Sequence, residues 1–127
     1  KVINIAGDGS FHMNCNELST LAKYQIPMME LVVDNSVLGM VRQWQKLFYD
    51  NRFSQTTQDK KTDFVKLAEA FGVKAFEIHT KDELIPVLKE ALSLKEPVLV
   101  ACHIHRDFNV LPMVPAGASA EEPILEM

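Results

Sequence analysis

Cysteine, tryptophan and glycine are scarce: two, one and five residues in a chain of 127. Cys15 and Cys102 lie far apart and form no CxxC, and a disulfide between them is the minor alternative. The expectation is two free thiols in a reducing, cytoplasmic setting. Positive charge is also short. Thirteen basic residues face 17 acidic ones, for a net charge of −4, and no basic cluster marks a nucleic-acid partner. No apolar run approaches the ~20 residues of a bilayer span, so no membrane partner is expected. A secretory leader pattern is missing too. The chain opens on Lys1 rather than Met and runs straight into a strand pattern, so residue 1 reads as a cut point. There is no internal repeat, no low-complexity block and no GxGxxG dinucleotide fingerprint. What remains is 47% hydrophobic, enough for one domain with a modest core.

Apolar stretches without polar alternation recur at Val2–Ala6, at MMELVV (28–33), at residues 73–79 and at residues 97–104. Each reads as a buried strand. Between them lies helical spacing. Asn14 with Glu17 resembles a capping box ahead of Leu18, Leu21 and Ala22. Leu38 to Tyr49 places Met40, Trp44, Leu47 and Phe48 on one side. Phe64, Leu67, Ala68 and Phe71 form another set, with Gly72 as the stop. Thr80-Lys81-Asp82-Glu83 is a second capping box, before Leu84, Val87, Leu88 and Ala91. Residues 50–62 are expected to be a mobile polar loop, and 105–127 an extended tail rich in proline and small residues. The alternation predicts an α/β fold: a three-layer domain with a mainly parallel sheet and helices on both faces. Four strands are few for such a sheet, which suggests a domain incomplete at its N-terminus.

One constellation carries chemistry. The first strand runs into Gly7-Asp8-Gly9-Ser10, and the second into Asp34-Asn35-Ser36. Neighbouring parallel strands would bring Asp8 and Asn35 to one sheet edge, where ligands of open α/β sheets bind. Both offer oxygen, and the turn adds a backbone carbonyl, that of Val37. Few, hard oxygen donors suit Mg²⁺, which shares phosphate oxygens. The backbone amides of Gly9 and Ser10 are placed to bond a phosphate directly. Alone, GDGS is more often only a turn, and an EF-hand is excluded by the strand flanks and the missing ladder of acids.

These residues and their surroundings resemble a family. GDGSFHMNCNEL, DNSVLGMVRQWQKLFYDNRFS, DFVKLAEAFGVKA and VLPMVPAGAS are similar to the large catalytic subunits of acetolactate synthase (acetohydroxyacid synthase). The resemblance covers nearly the whole chain. It implies a thiamine diphosphate-binding fold, with residues 1–127 forming the C-terminal part of a PP-type domain. It implies Asp8, Asn35 and the Val37 carbonyl as Mg²⁺ ligands, Gly9 and Ser10 on the diphosphate, and Gly39 and Met40 against the cofactor. Trp44 would line the substrate pocket. Many relatives carry Asn where this chain has Asp34, and Gln where it has His12.

The implied reaction decarboxylates pyruvate and condenses the product with pyruvate or 2-ketobutyrate, in branched-chain amino-acid biosynthesis. No catalytic residue is assigned in this chain, because the activating Glu belongs to an N-terminal domain that nothing here matches. FAD, held partly by a middle domain, would be bound only by the full-length enzyme. A homodimer or tetramer is implied, with a regulatory small subunit as a further partner, and the fragment alone is expected to be inactive. Two alternatives stand beside this: another thiamine diphosphate enzyme (glyoxylate carboligase or pyruvate oxidase-like), or a non-catalytic α/β dimerisation module. Other candidates read more plainly. Trp44 on an apolar helix face would by itself be core. Met28, Met29 and Cys15 read as core fillers, and Lys60-Lys61 as a solvated loop. His103 and His105 alternate as an HxH pair that lacks a visible third metal ligand.

Overall fold

The structure is a computed structural model that describes residues 1–57 and 62–126. Lys60 and Lys61 lie outside the described residues. Four strands, β1 (Val2–Gly7), β2 (Met28–Asp34), β3 (Lys74–Ile78) and β4 (Val98–His103), form one sheet in the order β1-β2-β4-β3. Every pairing is parallel, with Ile3 opposite Met29 and Met29 opposite Val98. The helices are α1 (Asp8–Asn14), α2 (Leu18–Tyr24), α3 (Gly39–Phe48), α4 (Phe64–Ala70) and α5 (Lys81–Ser93).

The pleat sends alternate residues to opposite faces. Val32, Leu99 and Ala101 meet Phe11 of α1, Leu18 of α2, and Phe64 and Ala68 of α4. Met29, Val98, Val100 and Ile78 meet Ala91 of α5, flanked by Leu84, Val87 and Leu88. The sheet is therefore the middle of three layers, as the alternation predicts.

The first strand departs from expectation. Its apolar run predicts burial, yet Val2 and Ile5 are about two-thirds exposed (68% and 67%). β1 is an edge strand. Ile3 and Ile5 share a face with Met29 and Leu31, and α5, which covers that face, packs on β3 and β4 instead. The opposite face of β1 is anchored by polarity: Asn4 Nδ2 donates to both oxygens of Glu30, at 3.0 and 2.8 Å. Burial pushes the Glu30 carboxyl above its ordinary range, and Asn4 opposes that shift.

Helix starts follow local chemistry only in part. At α5 the capping box forms as read, with the Glu83 carboxylate accepting from the N–H groups of Thr80 (3.0 Å) and His79 (2.7 Å). Gly72, at φ 79°, ends the α4 segment in the left-handed conformation that glycine adopts freely. At α2 the expected box fails. Helix already begins at Asp8, a 3-10 turn spans Cys15–Glu17, and Asn14 caps nothing with its side chain. Glu17 instead accepts from the Thr20 hydroxyl at 2.9 Å.

Helix α3 is turned inside out relative to its pattern. Its buried residue is Gln43, while Met40, Val41, Trp44 and Phe48 are exposed. The Gln43 amide holds the tail from both sides. Its Nε2 donates to the Val110 carbonyl at 2.9 Å, and its Oε1 accepts from the Val110 N–H at 2.8 Å. Arg42 adds an ion pair to Asp107 (2.9 Å) and stacks over Phe53 (3.9 Å to the ring centroid). Part of the loop expected to be mobile is tied down as well. Thr56 is buried, its carbonyl accepts from Leu38 N–H (2.8 Å), and its hydroxyl donates to Gln45 Oε1 (3.1 Å).

Candidate functional site

The carboxyl ends of β1 and β2 are neighbours, and the two turns that follow them enclose one cavity of about 370 Å³. Asp8, Gly9, Ser10, Asn35, Val37, Gly39 and Met40 all line it. These are the seven residues proposed above for metal and cofactor, drawn from α1, the turn after β2, and the start of α3.

Asp8 is 3% exposed. One carboxylate oxygen accepts from the Gly9 N–H at 2.9 Å. The other, Oδ2, is the buried side-chain oxygen among the described residues that has no hydrogen-bond partner. Burial, with the Asp34 carboxylate close by, pushes the Asp8 carboxyl from 3.8 up to about 6. A buried, partnerless oxygen on an acid facing a second acid is an unfavourable arrangement for protein alone. It is the arrangement that a cation relieves. Donor chemistry agrees, since carboxylate, amide and carbonyl oxygens are hard ligands suited to Mg²⁺.

The second turn is held by Asp34, whose role sequence reading missed. Asp34 Oδ1 accepts from the Ser36 N–H (2.7 Å) and hydroxyl (3.1 Å), which keeps Ser36 at φ 57°, a left-handed conformation. Asn35 Oδ1 in turn accepts from the Val37 N–H at 3.1 Å. Asp34 thus shapes the turn while Asn35 lines the cavity. Gly39 leaves room for Asn35: a Cβ there would sit 2.8 Å from Asn35 Nδ2 and displace the end of that side chain. The one sequence signal for Asp34 is its place, since an acid that ends a buried strand rarely goes without partners.

Trp44 does not line this cavity. It stands in an adjoining cleft of about 630 Å³ with Met40, Val41, Gln45, Tyr49 and Arg52. Met40 and Val41 form the wall that the two cavities share. At 38% exposed, Trp44 is not the core residue that its apolar face alone suggests. His12 lines neither of them. Its Nε2 lies 2.6 Å from the Thr62 hydroxyl and its ring packs on Phe64, which ties α1 to the start of α4. Cys15 packs against the α1/α2/α4 core, and both cysteines are free.

Comparison with known proteins follows the same line. The family described as "Thiamine pyrophosphate enzyme, C-terminal TPP binding domain" matches residues 1–102. The chain is 44% identical to the acetolactate synthase large subunit of Pyropia yezoensis, over 97% of this chain and 21% of that protein. It is 48% identical to a probable acetolactate synthase large subunit of Methanococcus aeolicus (93% and 20%). It is 45% identical to the acetolactate synthase isozyme 2 large subunit of Escherichia coli (95% and 22%). Among solved structures, a thiamine diphosphate-dependent 4-hydroxybenzoylformate decarboxylase of Rhodococcus jostii superposes with a TM-score of 0.77 at 28% identity, over 83% of this chain and 20% of that one. The chain spans about one-fifth of the length of these relatives.

Proposed function

The chain belongs to the family of thiamine pyrophosphate enzyme C-terminal, TPP-binding domains, and on that premise we propose that it is the cofactor-holding part of an acetolactate synthase large subunit. The observation that carries the proposal is the single cavity ringed by Asp8, Asn35 and Val37, into whose wall a buried carboxylate oxygen is set without a partner. In this reading the side chains of Asp8 and Asn35 and the carbonyl of Val37 hold Mg²⁺. The Ser10 amide takes the diphosphate, joined by the Gly9 amide when Asp8, which holds it here, turns to the metal, and Gly39 and Met40 lie against the cofactor. When bound, thiamine diphosphate supplies the electron sink for decarboxylating a 2-keto acid and joining the product to a second one.

The chain's own residues then have separable tasks. Asp8 brings the charge that balances the cation, and Asp34 fixes the turn that presents Asn35. Met40 separates the cofactor cavity from the Trp44 cleft, which would take the side chain of pyruvate or 2-ketobutyrate. The acid that activates the cofactor, and the FAD site, are assigned to other parts of a longer polypeptide. Two observations support that division: the length of the relatives, and the bare edge of β1, where a sheet would continue. Assembly as a homodimer or tetramer, with a regulatory subunit, belongs to the same proposal.

Calorimetry of thiamine diphosphate binding to the chain, with and without Mg²⁺, tests the cofactor site. Binding is expected only with Mg²⁺, and Asp8→Ala or Asn35→Ala should weaken it at least about ten-fold, roughly 1.4 kcal/mol. Metal-independent binding, or titrations unchanged by both variants, would refute the ligand assignment. The likeness to the 4-hydroxybenzoylformate decarboxylase favours a simple 2-keto acid decarboxylase as the second reading. Product analysis of the full-length enzyme with pyruvate alone, then with 2-ketobutyrate added, separates carboligation from plain decarboxylation.

A further inference from the structure

The far half of the sheet edge carries a cluster that the cofactor site does not use. β3 and β4 end side by side, and Glu77 and His79 at the end of β3 meet His103, the last residue of β4. His103 Nε2 lies 2.7 Å from Glu77 Oε1, and His79 Nε2 lies 3.2 Å from Glu77 Oε2. The two imidazoles stack with centroids 4.5 Å apart. One ligand atom from each of the three residues falls within 4.8 Å of the others. The cluster opens onto a cavity of about 280 Å³ lined by His79, Lys81, Cys102, His103, His105 and Phe108.

We propose that Glu77, His79 and His103 form a binding site for a divalent transition-metal ion of the Zn²⁺ class. Two imidazoles and one carboxylate are the donor set of zinc sites that keep a position open. Imidazole nitrogens select Zn²⁺, Ni²⁺ or Cu²⁺ over Mg²⁺, which takes hard oxygen donors.

The outer contacts point the same way. His103 Nδ1 lies 3.2 Å from Asp34 Oδ2, and Asp34 is buried at 4% exposure. A carboxylate on one imidazole nitrogen fixes the ring and directs the other nitrogen outward, as metal-bound histidines require. That other nitrogen is the one at Glu77. An ion must lie in the plane of each ring that binds it, and parallel stacked rings share no such point. Binding therefore turns one ring out of the stack. His79, with its side chain 56% exposed, is the one free to turn. The third ligand missing from the HxH reading is supplied by the neighbouring strand, and His105 is not needed, because β4 ends at His103.

Titration of the chain with Zn²⁺ by calorimetry, in buffer containing Mg²⁺ to fill oxygen-only sites, tests the assignment. One ion per chain is expected at micromolar affinity. Glu77→Gln and His79→Asn should each weaken it at least about ten-fold, while Cys102→Ser and His105→Ala leave it unchanged. Co²⁺ in place of Zn²⁺ should give the visible absorption of a four- or five-coordinate nitrogen-ligated ion, lost in His79→Asn. The two test positions are exposed, so circular dichroism should show an unchanged fold. His103→Ala is avoided because it strands Asp34. Absence of Zn²⁺ uptake at micromolar concentration, or uptake that survives both Glu77→Gln and His79→Asn, would overturn the proposal.

Discussion

VINIA in β1 and VLVAC in β4 are nearly the same kind of sequence, and they have opposite environments. Val98, Leu99 and Val100 are fully buried, between α5 on one face and α2 and α4 on the other. Val2, Ile3 and Ile5 face open space. The difference lies in position within the sheet, not in composition. A strand's apolarity reports the surroundings for which it was selected, and the described residues supply those surroundings for β4 and not for β1. The same division runs through the whole molecule. The β3/β4/α5 half is closed and packed. The β1/α3 half has an apolar face turned outward and carries the cavity proposed for the cofactor. Changes in the closed half should therefore cost stability, and changes in the open half should cost binding.

The sharpest way to break that comparison is to truncate one residue in each strand. Leu99→Ala removes a fully buried side chain and should lower unfolding stability by about 2–5 kcal/mol. Ile5→Ala, at a site two-thirds exposed, should cost under about 1 kcal/mol. Urea unfolding measures both, and similar costs for the two would show that β1 is covered in solution.

A smaller effect is expected from pH. The Asp8 carboxyl is raised from 3.8 to about 6 in the fold, so the folded state holds this proton more tightly than the unfolded chain. The Asp8 contribution without metal should then be greatest below pH ~4, fall as pH rises through ~6 by up to about 3 kcal/mol, and level off above that. Asp8→Asn should flatten the curve, and so should saturating Mg²⁺. A metal-free chain that gains stability over this interval through Asp8 would contradict the burial of that acid.

Smallest in stability, and most selective, is Gly39→Ala. The new methyl would push on the end of the Asn35 side chain, which can move aside. The unfolding free energy should change by less than about 1 kcal/mol, while Mg²⁺-dependent cofactor binding weakens several-fold. Equal losses in both measurements would place the cost in the backbone of α3 instead.

Much of this was legible in the sequence wherever the determinant was local. Strand and helix alternation, the Thr80–Glu83 box and the Gly72 stop depend on neighbours within a few residues, and they appear as read. The convergence of Asp8 and Asn35 was legible because the βαβ rule carries two local turns to one edge. What was not legible depends on distant partners. Gln43 is buried because Val110 lies across from it, 67 positions away. Asp34, His103 and Glu77 meet only through the strand order β2-β4-β3, which no spacing encodes. Helix α1 begins at Asp8 rather than after Asn14, and Phe11 on that helix packs into the core. The expected cap at Asn14 gives way to that burial.

The Gln43–Val110 contact has one more implication. A primary amide that both gives to and takes from a single residue imitates a peptide group, so α3 presents to the tail one link of a strand edge. Pairing of that kind recognises backbone and is indifferent to side chain, which frees position 110 to vary. It is also all-or-none in register: moving the tail by one residue would point the amide at the wrong side of the chain. The tail's place over α3 is therefore set like a tooth in a ratchet, at discrete settings rather than along a continuous slide.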